Sequence, residues 1–305
     1  MPVPTLNLLS NCALCPRECG VNRVDGELGF CGAGELPKVA RIALHHWEEP
    51  SISGTKGSGT VFFSGCNLKC CFCQNYVLSH ESFGKEIGAD QLATKFILLQ
   101  QQGAHNINLV TGSHFAPQIA AAIQNAKKLG LTIPIVYNSS AYEKTSTLHL
   151  LEGLVDIYLP DLKYNSATMS NRYSHAPDYF EIASSAIMEM IRQCGEVKLD
   201  QNGIMISGVM VRHLVMPGGT DDSIQCLEWL KHNLPPGIYI SLMAQYLPLP
   251  EIKLPAELAH PLTATEYEKV CAKLFELELE DGYVQELEAA TVEFVPAFDL
   301  TGVDD

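Results

Sequence analysis

Between residues 60 and 280 the chain alternates short apolar runs with amphipathic helical stretches, and no other feature limits its fold as tightly. The apolar runs cover 60–64, 105–110, 132–137, 154–159, 208–215 and 237–242. Helical periodicity covers 90–102, 116–129, 143–151, 179–192, 222–232 and 265–280, the last opening on a capping box from Thr263 to Glu266. Strand and helix alternating at this spacing predict βαβ units and a parallel sheet, an α/β fold. Six repeats without a nucleotide-binding glycine fingerprint favour a barrel, complete or partial, over a doubly wound sheet. Chemistry in a barrel gathers at the C-terminal strand ends. That rule selects Cys66, residues 111–114, 138–140, 161–163 and 216–219, and Gln245 with Tyr246.

The cysteines are the second constraint. Residues 1–10 lack the basic stretch and apolar core of a signal peptide, and no apolar run reaches the ~20 residues that span a bilayer. The expected location is cytoplasmic, where thiols stay reduced, so eleven cysteines need a role other than disulfides. A formal charge of −15 argues against nucleic acid and membrane as general partners. Cys194, Cys226 and Cys271 lie in helical stretches and read as small packing residues.

Cys66-Asn-Leu-Lys-Cys70-Cys-Phe-Cys73 follows directly on the first strand and a Ser64-Gly65 turn. Three thiolates in one loop leave one iron of a four-iron cluster without a protein ligand, free to chelate the amino and carboxylate groups of a small molecule. A structural zinc site needs four ligands, and the adjacent Cys71 points away from its neighbour. Cys71 therefore reads as a packing residue.

With Phe72 before the last cysteine, this spacing resembles the signature of the radical S-adenosylmethionine (SAM) superfamily. The resemblance implies a radical SAM barrel of partial (β/α)6 type with the cluster loop after its first strand. It implies a [4Fe–4S] cluster on the catalytic Cys66, Cys70 and Cys73, with SAM on the open iron. An electron from the reduced cluster would break the S–C5′ bond, and the 5′-deoxyadenosyl radical would take a hydrogen from the substrate. It also implies a flavodoxin or ferredoxin as reductant.

Cys12, Cys15, Cys19 and Cys31 form a second set, within a glycine-rich segment. Four thiolates make a closed site, either structural zinc or an electron-transfer iron–sulfur centre. The small size of the segment and its lack of an apolar core favour zinc, whose binding would supply the folding energy. We expect this site to be remote from the SAM iron. The predicted organisation is a metal-binding segment with its connection over 1–50 and the barrel with a C-terminal helix and extension over 51–305. Residues 36–58 read as a connection with turns, and 301–305 as a frayed end. The four cysteines, Ser51-Ile-Ser-Gly54 and Ser241-Leu-Met-Ala-Gln-Tyr246 resemble proteins described as pyruvate formate-lyase activating enzyme-like. True activases carry a Gly-Gly-Glu-type stretch after the second strand, where this chain has Thr111-Gly-Ser-His114.

Other strand-end residues fall into candidate roles. Thr111, Ser113, Asn138 and Ser140 are candidates for the SAM amino group and ribose. Asp161 and Lys163 share one face of an extended chain and either line the pocket or pair with each other. Arg212 and His213 face opposite ways within an apolar strand, so one points inward. A buried arginine needs an anion, either the SAM carboxylate or an internal acid such as Asp161. His114 and the Gln245-Tyr246 pair are weaker candidates, and His80 reads as a loop histidine. Three functions fit: a radical SAM enzyme that activates a protein by installing a glycyl radical, one that modifies a small molecule, or a non-catalytic iron–sulfur electron carrier. A barrel and an open-iron loop exceed what an electron carrier needs.

Overall fold

The computed structural model describes residues 8–291 and 295–304; the expectation for residues 1–7 and for Asp305 falls outside them. The six predicted runs form the parallel body of the sheet: β2 (Ser58–Phe63), β4 (Ile107–Val110), β5 (Ile135–Ser139), β6 (Ile157–Pro160), β8 (Met205–Leu214) and β9 (Tyr239–Met243). β10 (Gly282–Val284) adds in parallel to β9, and β7 (Lys198–Leu199) lies antiparallel on β8. At the opposite edge, β1 (Lys38–His45) and β3 (Lys85–Glu86) add antiparallel to the body. The order β10-β9-β8-β6-β5-β4-β2-β1-β3 is open, with no pairing of its two ends among the described residues. The fold is thus a partial barrel of α/β type. β1 corrects the reading of 36–58 as a connection: Val39, Ala40 and Ile42 are buried, and Val39 and Ile42 pair with Phe63 and Val61 of β2.

Helices α1 (Ala89–Gln101), α2 (Ala116–Lys128), α3 (Ala167–Ser174), α4 (Tyr179–Cys194), α5 (Thr220–Asn233) and α6 (Ala264–Glu276) connect and cover the strands. Pro117 lies in the first turn of α2, where its missing N–H costs nothing, and Ile119, Ala120, Ile123 and Ala126 bury one face. Thr263 and Glu266 close the predicted capping box of α6. The stretch 143–151 forms only one α-helical turn and one 3-10 turn.

The segment before β1 is irregular, as its glycines suggest, but it is not a separate body. It has a small apolar cluster of Leu9, Cys12 and Leu14, which corrects the expectation of none. It is tied to the barrel where Thr147 Oγ1 donates to Leu14 O at 2.6 Å and Gln118 Nε2 to Glu35 O at 2.5 Å. Arg17 Nε donates to Asn67 O at 2.8 Å. Nor are residues 301–304 frayed. Ile42 N donates to Thr301 O at 2.9 Å, Leu300 N to Ala40 O at 3.0 Å, and Val303 is buried. Lys85 pairs with Asp304 at 2.7 Å and Arg41 with Asp299 at 2.9 Å, so this stretch straps the outer edge of β1. Among the described residues no helix is long and apolar enough to cross a membrane.

Candidate functional site

One cavity at the C-terminal strand ends brings together almost every residue selected from the sequence. Cys66, Cys70, Phe72 and Cys73 line it from the loop after β2. Thr111, Asn138, Ser140, Asp161, Lys163 and Arg212 line it from the ends of β4, β5, β6 and β8. Ser113, His114 and residues 216–219 do not line it. Thr111 has φ 60°, a left-handed conformation that turns the chain there, and Ser113 Oγ donates instead to the buried Glu143 Oε1 at 3.0 Å. The closeness of Gly112 to Ile119 Cδ1, 2.4 Å from where a Cβ would stand, explains the glycine. His114 is buried beneath the loop with Nε2 2.8 Å from Ser64 O, and burial brings its pKa down to about 4.

Each of the three cysteine sulfurs faces hydrogen-bond donors. Cys66 Sγ accepts from Leu68 N and Lys69 N at 3.4 and 3.5 Å, and Cys70 Sγ from Ser174 Oγ at 2.9 Å. Cys73 sits beside the Ser79 hydroxyl and the Asn75 N–H. Burial pushes the Cys70 thiol up to about 12, against the pull of Lys163. A bare thiolate is therefore unfavourable here, whereas iron displaces the proton and donors to sulfur tune the cluster. The donor set thus fits an iron–sulfur cluster. Cys71 is half-buried outside the cavity lining, its N–H bound to Tyr173 O at 2.8 Å. Phe72 packs against Tyr164 and Tyr246, with ring centroids 6.5 and 6.1 Å apart. Gln245 O accepts from Gln74 Nε2 at 2.6 Å and ties the loop to the end of β9.

The strand ends carry a compact charge network. Arg212 Nε donates to Asp161 Oδ1 at 2.9 Å, Nη1 to Glu48 Oε2 at 3.2 Å, and Nη2 to Asn138 Oδ1 at 2.5 Å. Lys163 Nζ donates to Asp161 Oδ2 at 2.6 Å. Burial pushes the Asp161 carboxyl up, but Arg212 and Lys163 outweigh it and hold it below the usual carboxylate range. Burial likewise lowers Lys163, and Asp161 more than offsets it. Arg212 is therefore paired inside the protein, the internal partner considered beside the SAM carboxylate. His213 faces the other way, its Nδ1 2.6 Å from Leu162 O.

Glu48 escaped the sequence reading because it lies in the stretch taken as a connection, 164 residues from Arg212. Its Oε1 accepts from Asn108 Nδ2 at 3.0 Å and Asn138 Nδ2 at 3.3 Å. Burial raises the Glu48 carboxyl, with Arg212 the chief opposing influence. Glu49 beside it is also raised by burial, and its Oε2 has no hydrogen-bond partner.

The N-terminal cysteines lie outside this cavity. Cys12, Cys15 and Cys31 are buried and Cys19 is exposed. Among the described residues no three His, Cys, Asp or Glu side chains converge as the ligands of a single metal ion would, so the expected zinc geometry is absent. The two cysteine sets are not remote: Cys66 N donates to Cys31 O at 3.3 Å. Among the helical cysteines Cys226 is buried, and Cys194 and Cys271 are half-buried. His80 stacks on Tyr76, ring centroids 4.1 Å apart, as a loop residue.

A family model described as the Radical SAM superfamily matches residues 60–230. An uncharacterized protein of Methanocaldococcus jannaschii is 31% identical over 287 residues, which cover 91% of this chain and 76% of that protein. Among solved structures, HydG, a maturase of the [FeFe]-hydrogenase, superposes with a TM-score of 0.50 at 14% identity over 75% of this chain. The match spans about half of that maturase, 52% of its chain. Methylornithine synthase (PylB) superposes with a TM-score of 0.50 at 13% identity, over 78% of this chain and 68% of its own. At these identities the two structures bear on the fold alone.

Proposed function

This chain belongs to the radical SAM superfamily, a family that implies a [4Fe–4S] cluster and SAM, and from that premise we propose that Cys66, Cys70 and Cys73 hold the cluster for reductive SAM cleavage. One observation carries the assignment. Of the eleven cysteines, all within the described residues, these three line the cavity at the strand ends. A reduced cluster held there supplies the electron that breaks the S–C5′ bond of SAM.

The protein's own residues bind and orient. Thr111, Asn138 and Ser140 offer hydroxyl and amide groups to the polar parts of SAM from one rim of the cavity. The Asp161–Arg212–Glu48 network fixes Asn138, because Arg212 takes its carbonyl and Glu48 its amide. Lys163 is held by Asp161 beside the loop, where its charge favours electron density on the cysteine sulfurs. Phe72, Leu214 and Met243 give the cavity apolar wall, which limits water around a reactive intermediate.

We assign a protein as the substrate, with the enzyme abstracting a hydrogen to install a glycyl radical. The support is the sequence likeness to activating-enzyme-like proteins. The test is anaerobic incubation of the reduced, reconstituted protein with SAM and a cell extract. Formation of 5′-deoxyadenosine, lost in Cys70→Ala, supports the cleavage assignment, and a glycyl-radical EPR signal on an extract protein supports the substrate class. No 5′-deoxyadenosine from cluster-loaded protein overturns the first. Deuterium passed into 5′-deoxyadenosine from a labelled small molecule overturns the second.

A further inference from the structure

Arg23 is only 1% exposed, and among the described residues no carboxylate pairs with it. Its Nε and Nη2 donate to Gly34 O at 2.8 and 2.6 Å, and its Nη1 to His114 O at 2.7 Å and to Cys12 Sγ at 3.9 Å. The Phe115 ring centroid lies 5.4 Å from its Cζ. Carbonyls satisfy its donors but leave its charge uncompensated, and a buried charge without a counter-charge is strongly unfavourable. Two thiols lie near it, that of Cys12 at 3.9 Å from Nη1 and that of Cys31 within its electrostatic reach. The buried guanidinium thus points to an anionic centre at these cysteines.

The four thiols are gathered for one. Cys15 lies within electrostatic reach of Cys12, Cys19 and Cys31. Gly29 gives Cys19 its room, since a Cβ there would stand 2.4 Å from Cys19 Sγ. The thiols do not converge on a point as ligands of one zinc ion do. The same is true of Cys66, Cys70 and Cys73, so the two cysteine sets share this spacing.

The position of this segment adds a direction. The backbone of Cys31 is one hydrogen bond from the backbone of Cys66, 3.3 Å. Gly65 keeps that approach open: it has φ 88°, and a Cβ there would stand 2.6 Å from Cys31 O. Cys66 and Cys70 are buried, while Cys19 is exposed. A path between two metal centres that crosses one hydrogen bond is short, and its outer end is the one a bulky donor can touch.

We propose that Cys12, Cys15, Cys19 and Cys31 hold a second [4Fe–4S] cluster that relays electrons to the SAM-cleaving cluster through the Cys31–Cys66 contact, with Arg23 as its buried counter-charge. The inference rests on the assignment of Cys66, Cys70 and Cys73 made above. A one-electron protein reductant, with a flavin hydroquinone or an iron–sulfur centre, reduces the outer cluster from 2+ to 1+. The outer cluster then returns to 2+ as the inner one passes from 2+ to 1+. No bond is made or broken.

Iron analysis of the anaerobically reconstituted chain should give roughly eight irons, and the Cys12→Ser/Cys19→Ser variant roughly four. The variant should keep an EPR signal that SAM perturbs, and should lose the fast phase of cluster reduction by flavodoxin hydroquinone. A Cys66/Cys70/Cys73 triple alanine variant should keep roughly four irons without any SAM-responsive signal. That variant separates the two assignments, because it tests the outer cluster whether or not the inner one cleaves SAM. If removing the serine-substituted thiols unfolds the chain, Arg23→Met keeps all four thiols and should lower the midpoint potential of the outer cluster. Zinc in place of iron at the outer site, an unchanged reduction rate in the double variant, or an unchanged potential in Arg23→Met would each overturn the proposal.

Discussion

The barrel mouth and the N-terminal segment each bury an arginine beside a set of cysteines, and they neutralise it in opposite ways. Arg212 is surrounded by groups the fold itself supplies, Asp161 and Glu48 as charges and Asn138 as an acceptor. Arg23 meets only carbonyls, an aromatic ring and the sulfur of Cys12. The mouth is thus electrically complete from the protein alone and leaves its cysteines free to serve chemistry. The segment becomes complete only when its thiols turn anionic. Cysteines alike in sequence can therefore belong to a site that the sheet builds, or to one that a metal must finish.

The sharpest way to break this contrast is at the cysteines themselves. Cys70→Ala should abolish SAM-dependent 5′-deoxyadenosine formation and remove the SAM-responsive cluster, while Cys71→Ala should leave both unchanged. Full cleavage by Cys70→Ala protein would return the mouth to a structural role.

Removing the two arginines comes next. Arg212→Leu strands Glu48 and weakens Asp161 in side chains only 11% and 13% exposed, and should cost about 3–5 kcal/mol of stability at neutral pH. Arg23→Met leaves carbonyls, not carboxylates, unpaired, and should cost about 1–3 kcal/mol. Denaturant titration of the metal-free proteins checks the order, and a reversed order would mean that the mouth network is dispensable.

Gly65→Ala tests the join between the two regions. It forces an alanine to φ 88° and a Cβ against Cys31 O, for about 1–3 kcal/mol, with the cluster spectra of both cysteine sets disturbed together. Spectra that change at one set alone would separate the two regions.

The smallest effect is a pH dependence at Glu49, beside the mouth. Glu49 is raised in the folded state by burial, so its neutral form favours folding. That contribution is present below the unfolded carboxyl value, about 4.3, and is lost as pH rises through the folded one. Glu49→Gln should therefore melt higher than wild type at neutral pH and equally at strongly acidic pH. A melting temperature that differs most in acid would reverse the sign.

Much of the mouth was legible because strand ends obey a rule. Once six runs were read as parallel strands, the residues just after each run had to share one end of the sheet; those after β2, β4, β5, β6 and β9 reached the cavity, whereas Ser113, His114 and residues 216–219 did not. Ser113 was misplaced because the left-handed turn at Thr111 redirects the chain, and no residue type there announces it. Glu48 and Glu49 were missed with β1. Turn signals at Glu49-Pro50 and three nearby glycines hid a strand whose apolar side is short. The pairing of Glu48 with Arg212 is a long-range fact that local pattern does not carry. At the N-terminus the cysteine spacing was plain, but its contact with Cys66 depends on how the irregular segment lies over the barrel.

The strap over β1 has a bearing on how the molecule comes to be made. Arg41 and Asp299 are 258 residues apart, and the backbone bonds from Ala40 and Ile42 reach to Leu300 and Thr301. During synthesis from the N-terminus, β1 and both cysteine sets leave the ribosome long before their cover does. Contacts so distant in sequence form late and slowly. Until residues 299–304 emerge, one margin of the sheet offers bare N–H and C=O groups to any passing strand. The nascent chain thus has an interval in which it is open to iron delivery and to aggregation alike, and chaperones that guard strand edges have a defined time to act.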